Sequence, residues 1–169
     1  MKRKMQKQQN LNMGTIGIIA IRSKEGPIQA VYNHSDSYLE RAGIILEKYY
    51  NTEKQVTNLI KHGGISSLGS EIGEKHVFNH PKKGWTWVDN YDENTAIDPK
   101  WCRFYSRDSG EKVEIYKFKD EKELLSEFGK DSFAEFVYLF KHNRWYVQQN
   151  NVDIYSLLIE ELKYNNIKI

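Results

Sequence analysis

Tyr32-Asn33-His34-Ser35-Asp36-Ser37-Tyr38 brings an imidazole, a carboxylate, an amide, two hydroxyls and two phenols into one short stretch. An apolar strand pattern ends here and a helical one begins. The stretch therefore sits at a strand-to-helix junction, where unpaired N–H groups favour anions. His34 and Asp36 are the acid-base candidates, and Tyr32, Asn33 and Tyr38 the binding groups beside them. A plainer role stays open, in which Asp36 and Ser37 only cap the helix. A second carboxylate, Glu135, falls in Phe133–Phe140, a run apolar on both faces that reads as a central strand. Such a carboxylate is costly unless it is paired or hydrogen-bonded. Glu135 is thus either a functional acid or the partner of Arg22, Arg103 or Arg144.

His34, Asp36 and Glu135 would together serve a small metal-independent hydrolase or nuclease acting on RNA, with Arg103 stabilising the phosphate. Trp101, Arg103, Tyr105 and Arg107 recur at every second residue, so on a strand they would share one face. Aromatic rings interleaved with guanidiniums suit single-stranded nucleic acid, and an aromatic core face edged by surface arginines fits the same pattern. Trp85 is a further contact residue.

Other chemistries fare worse. His76 and His80 have the four-residue spacing of a helical metal site, but Pro81 follows the second and no Glu follows the first. No metal and no cofactor are expected. Ser35 and Ser37 lack the glycines of a nucleophile elbow. Gly63-Gly64 and Gly69 lack the Lys-Ser or Lys-Thr of a phosphate loop. Cys102 is the only cysteine, which excludes an internal disulfide and a cysteine-rich zinc site.

The elements that position these residues follow from periodicity. Ile16–Ile21 and Ile28–Tyr32 flank Ser23-Lys24-Glu25-Gly26-Pro27, a hairpin signature. Ser37 and Glu40 form a capping-box pattern, and Leu39, Ala42, Ile45 and Leu46 line one helical face beyond it. Thr52 and Gln55 open a second helix with Val56, Leu59 and Ile60 on one side, stopped by Gly63-Gly64. Residues 63–100 read as a long polar excursion with one strand at Trp85–Val88. Trp101–Ser106 and Lys112–Phe118 predict a second hairpin, Glu121–Phe128 a short helix, and Phe133–Phe140 with Arg144–Gln148 a third hairpin. From Asp153 the pattern is helical, with Ile154, Leu157, Leu158 and Leu162 on one side. The expected fold is a single α+β domain, an antiparallel sheet built from hairpins with helices packed on a face.

Hydrophobic residues make up 39% and charged residues 28% of the 169 residues, which excludes a disordered chain. Eleven tyrosines and four tryptophans supply many side chains able to anchor a binding surface. Lys2, Arg3, Lys4 and Lys7 lie in residues 1–12, leaving 21 basic against 23 acidic residues in the rest. Bulk charge thus argues against a nucleic-acid binder. Residues 1–12 read as a disordered basic arm, or as upstream sequence ahead of a true start at Met13. Without a secretory signal or an apolar span, a soluble cytoplasmic protein is expected.

Met13-Gly14-Thr15-Ile16-Gly17, the Tyr32–Tyr38 stretch with Gly43, and Asp131-Ser132-Phe133-Ala134-Glu135-Phe136-Val137-Tyr138 resemble a family of small bacteriophage and prophage proteins. Its members open Met-Gly-Thr-Arg and carry Tyr-Asn-His-x-Asp-Ser-Tyr-Pro. The resemblance leaves the middle of the chain unmatched, and Ile16 and Leu39 stand where the family has Arg and Pro. It implies a phage or mobile-element protein in a bacterial host. The expected role is counter-defence of the anti-CRISPR kind, binding and inhibiting a host defence protein or its RNA. Hydrolase or nuclease action through His34, Asp36 and Glu135 is the alternative.

Overall fold

The computed structural model describes residues 14–24, 26–76, 100–129, 132–150 and 155–169. Gly17–Arg22 forms strand β1, and its near-continuous apolar sequence suits a strand buried on both faces. It pairs antiparallel with β2 (Ile28–Asn33), as the hairpin pattern predicts. On its other side β1 runs parallel to β6 (Phe136–Lys141). Strand β6 turns back through His142 and Asn143, both left-handed, into β7 (Arg144–Gln149). The short strand β8 (Ser156–Leu157) continues the sheet beyond β7. At the other edge β3 (Ile65–Ser67) runs parallel to β2 and pairs with β4 (Arg103–Phe104), while β5 (Tyr116–Phe118) lies antiparallel to the start of β2. The described residues thus form an eight-stranded mixed sheet in an α+β fold.

Alternation along β1 divides the core. Ile19 and Ile21 face a layer made by α1 (Ile44–Tyr49), α2 (Glu53–Ile60) and α5 (Leu158–Tyr164), through Ile45, Leu46, Val56, Leu59, Ile60, Leu158 and Leu162. Ile18 and Ala20 face Phe118, Val137, Leu139 and the helix α4 (Glu121–Phe128), which contributes Leu124 and Phe128. Helices therefore cover both faces, where the sequence suggested one. Trp145 joins the larger core to α1, its indole N–H donating to the Tyr50 carbonyl at 2.7 Å.

Several local expectations hold. Thr52 and Gln55 form both halves of the capping box at α2, and Gly63 takes the left-handed conformation that stops it. Helix α4 spans the residues that its pattern predicts.

Others are corrected. The sheet is not wholly antiparallel, because the helices and loops between β1 and β6 and between β2 and β3 are long enough to return the chain in the same direction. Ser37 and Glu40 make no capping box. The chain enters α1 through a π-helical turn, Leu39–Gly43, whose cap Tyr38 makes no side-chain cap bond, because the Ser37 hydroxyl is engaged elsewhere. The second predicted hairpin does not form: after β4 the chain coils into α3 (Tyr105–Ser109), ended by left-handed Gly110, and β5 pairs with β2. Glu135 makes no ion pair among the described residues, and Arg22 turns to Glu121 instead. The excursion holds a strand, β3, that its composition conceals. The final helix starts at Leu158. Residues 1–12, the Trp85–Val88 strand with Trp85, His80, Asp153 and Ile154 lie outside the described residues.

Gly17 leaves no room for a side chain, since a β-carbon there would lie 2.6 Å from the Ser37 side chain and 3.1 Å from the Phe136 carbonyl oxygen. Gly17→Ala is expected to cost about 1–3 kcal/mol as overpacking. Urea unfolding should show this as a lower midpoint at unchanged slope. An unshifted midpoint would mean that the Ser37 loop yields freely.

Candidate functional site

The junction stretch divides into residues that build it and residues that it displays. Asn33 ends β2 fully buried, its amide donating to the Ser37 hydroxyl at 2.6 Å and to the Ser35 carbonyl at 3.0 Å. Ser37, also buried, donates its N–H to the Thr15 carbonyl, and its own carbonyl accepts from the Tyr138 hydroxyl at 2.7 Å. Burial pushes the Tyr138 phenol well up, so it remains a donor. The Ser35 hydroxyl donates to the Ser66 carbonyl, and the His34 N–H to the Ile65 carbonyl, which ties the loop to β3. Asp36 takes a left-handed conformation to complete the turn, one that Asp tolerates. Asn33 is therefore a structural residue and does not line a binding surface.

Tyr32, His34, Asp36 and Tyr38 project outward. The Tyr32 hydroxyl and His34 Nδ1 are 2.8 Å apart. Burial raises the Tyr32 phenol, helped by the nearby Tyr105 and Tyr116 phenols. Tyr38 is part-exposed, its phenol raised by burial and by Asp36.

Glu135 lies at the same end of the sheet, just before β6. Its N–H donates to the Ile16 carbonyl, and its carbonyl accepts from Asn150. Gly17 pairs with Asn33 on one side and Phe136 on the other, so β2 and β6 stand two strand spacings apart. That separation is about 10 Å between backbones. Among the described residues no hydrogen bond or ion pair joins His34, Asp36 and Glu135.

The alternating set Trp101, Arg103, Tyr105, Arg107 does not share a strand face. Only Arg103 lies in β4, while Trp101 packs over Gly73, where a β-carbon would come within 2.2 Å of its ring. Arg107 is consumed by structure. It donates to Asp108 Oδ1 at 2.7 Å and to the carbonyls of Ile72, Gly73 and Cys102. The Asp108 carboxylate also accepts from the N–H groups of Phe104 and His76. Burial pushes that carboxyl up, but the bonds from Arg107 and the two backbone groups outweigh it and hold the carboxyl below its ordinary value. This bracket coils residues 105–109 into α3, and it turns Tyr105 toward His34, their rings 6.2 Å apart.

His76 belongs to the same bracket, its Nε2 3.7 Å from Asp108. Among the described residues no three His, Cys, Asp or Glu side chains gather as a metal site. Cys102 is buried against Tyr50 and Gly69, and burial pushes its thiol up, away from the reactive thiolate.

The structure adds aromatic residues that the pattern of the chain does not single out for binding. Phe133, 55% exposed, packs against Tyr32 at 6.2 Å and against Phe128 at 5.6 Å. Tyr116, 37% exposed, meets Phe128 at 5.2 Å. Their only signal in the sequence is aromatic type. No family model, curated protein or solved structure matches the chain.

Two stability effects follow from these networks. Tyr138→Phe leaves the buried Ser37 carbonyl without its donor and is expected to cost about 1–3 kcal/mol in denaturant unfolding. An unchanged midpoint would show that the phenol is dispensable. The depressed Asp108 carboxyl contributes stability that is complete above its unfolded pKa of about 3.9 and is lost as pH falls through the lower folded value. Asp108→Asn should therefore unfold more easily at neutral pH and show a smaller further loss on acidification below about pH 4. An identical acid slope in both proteins would contradict this.

Proposed function

We propose that this chain is a phage or mobile-element protein that binds and inhibits a host defence protein, a counter-defence role of the anti-CRISPR kind. The observation that carries the binding reading is the aromatic cluster of Tyr32, Phe133, Tyr116 and Phe128, which leaves Phe133 more than half exposed beside the His34 loop. Large rings held by a rigid sheet and helix lose little freedom on binding and are favoured as interface anchors. A protein target suits the surface better than RNA, because residues 13–169 carry 21 basic against 23 acidic residues. The phage context rests on the resemblance of the Met13–Gly17, Tyr32–Tyr38 and Asp131–Tyr138 stretches alone.

The hydrolase or nuclease alternative needs His34, Asp36 and Glu135 to act on one substrate. No hydrogen bond or ion pair joins them among the described residues, so a substrate would have to draw them together. Among the described residues no helix is long and apolar enough to cross a membrane.

A plaque assay on cells that carry a defence system and express the chain separates the readings. Tyr32→Ala and Phe133→Ala are each expected to weaken target binding about 30-fold or more, the loss expected of an interface anchor, and to return plaque numbers to those of cells without the protein. Tyr164→Ala removes a ring that is 85% exposed on α5, against the opposite face of the sheet, and should leave protection intact. Loss of protection with Asp36→Asn and Glu135→Gln but not with Phe133→Ala would overturn the binding reading and favour catalysis.

A further inference from the structure

The aromatic cluster has a shape as well as an area. Buried Phe128 forms its floor, with Phe133 and Tyr116 standing on it at interplanar angles of 83° and 67°. Tyr32 leans on Phe133 at 57°. Strand register supplies the remaining side: Tyr116 pairs with Ala30, and Tyr32 follows two residues later on the same face of β2. Ala30 contributes only a methyl group, so the Tyr32 and Tyr116 rings stand diagonally across a small residue, within reach of one another.

Rings set at such angles turn their electron-rich faces in several directions around one site. The described charges leave those faces uncompensated. Among the described residues, cations lie over the rings of Tyr49, Phe104 and Tyr146, and none over the rings of this cluster. The Tyr32 hydroxyl is shared with the imidazole of His34, 2.8 Å away at Nδ1, and lies near the phenols of Tyr105 and Tyr116. Ring faces and phenolic oxygens complement positive charge and repel negative charge.

We infer that this cup receives a cationic side chain, lysine or arginine, presented by the partner protein. The inference rests on the binding reading above and adds the chemistry that is recognised. A guanidinium matches the geometry well, since its plane stacks on one ring while its edge donates to phenolic oxygen. Cation–π attraction at a partly desolvated site is worth about 5- to 30-fold in affinity.

The test uses the full chain and three probes: an acetylated, amidated Gly-Arg-Gly peptide, its citrulline counterpart of the same shape without charge, and tetramethylammonium chloride. Aromatic side-chain NMR follows each titration. The arginine peptide should bind at least about 5-fold more tightly than the citrulline peptide, with shifts centred on Tyr32, Tyr116 and Phe133. Phe133→Leu keeps apolar volume and removes the ring face, so it should erase most of that preference. Tyr116→Leu provides a second, independent variant, and the spectra report folding of both. Equal binding of the two peptides overturns the inference. So does a preference that both leucine variants retain, or binding of tetramethylammonium without binding of the arginine peptide, which would mark a site for small free cations. Missing charge preference with protection still lost in Phe133→Ala would sink the cation assignment and spare the binding reading. A clear charge preference with protection unaffected would do the reverse.

Discussion

The buried contact of Asn33, Ser37 and Tyr138 is the constraint on which the rest of this molecule depends. It joins the end of β2, the loop after it and the central strand β6 through one amide, one hydroxyl, one carbonyl and one phenol. Such groups are costly to bury unless they are hydrogen-bonded, and here the Asn33 amide N–H groups, the Ser37 carbonyl and the Tyr138 hydroxyl find partners in one another or in Ser35, while the Asn33 Oδ1 finds none among the described residues. Gly17 lets β1 pass close beneath Ser37, and Gly43 leaves room for the Tyr138 hydroxyl 3.6 Å from where a β-carbon would lie. With the backbone held this way, His34 and Tyr32 are displayed at the rim of the sheet by a rigid support and not by a free loop.

A second polar assembly does similar work at the other edge. Asp108 and Arg107 bind backbone groups from residues 72–76 and 102–104, and between them satisfy a set of buried donors and acceptors. Because one removed partner would strand several groups, the bracket overrides the local preference of residues 101–107 for an extended strand. The consequence for the site is indirect: Tyr105 is brought against His34, while Trp101 and Arg107 are withdrawn from it.

The aromatic cup arises where three distant segments meet. Tyr32 comes from β2, Tyr116 from β5, and Phe128 and Phe133 from the end of α4 and the turn that follows. Each ring packs against at least one other ring of the cluster. Binding then needs little further loss of side-chain freedom. Acid-base chemistry would instead require His34 and Glu135 to act together across β1, and among the described residues no hydrogen bond or ion pair joins them.

Local patterns were enough to reveal the β1–β2 and β6–β7 hairpins, the Thr52 cap, helix α4 and the apolar faces of α1, α2 and α5, because hairpin turns, caps and periodicity act over a few residues. The strand-to-helix junction at Tyr32–Tyr38 was legible for the same reason, as a change of period across a polar cluster. What each of its residues does was not. Ser37 has the spacing of a cap and serves as a buried link, since Asn33 and Tyr138 compete for it and Tyr138 lies far away in sequence. The parallel pairing of β1 with β6, the fate of Arg107, and the meeting of Phe133 with Tyr32 and Tyr116 likewise depend on contacts between remote segments. Such contacts form only when the whole sheet closes, so tertiary structure alone decided which of these residues are buried as supports and which are displayed at the surface.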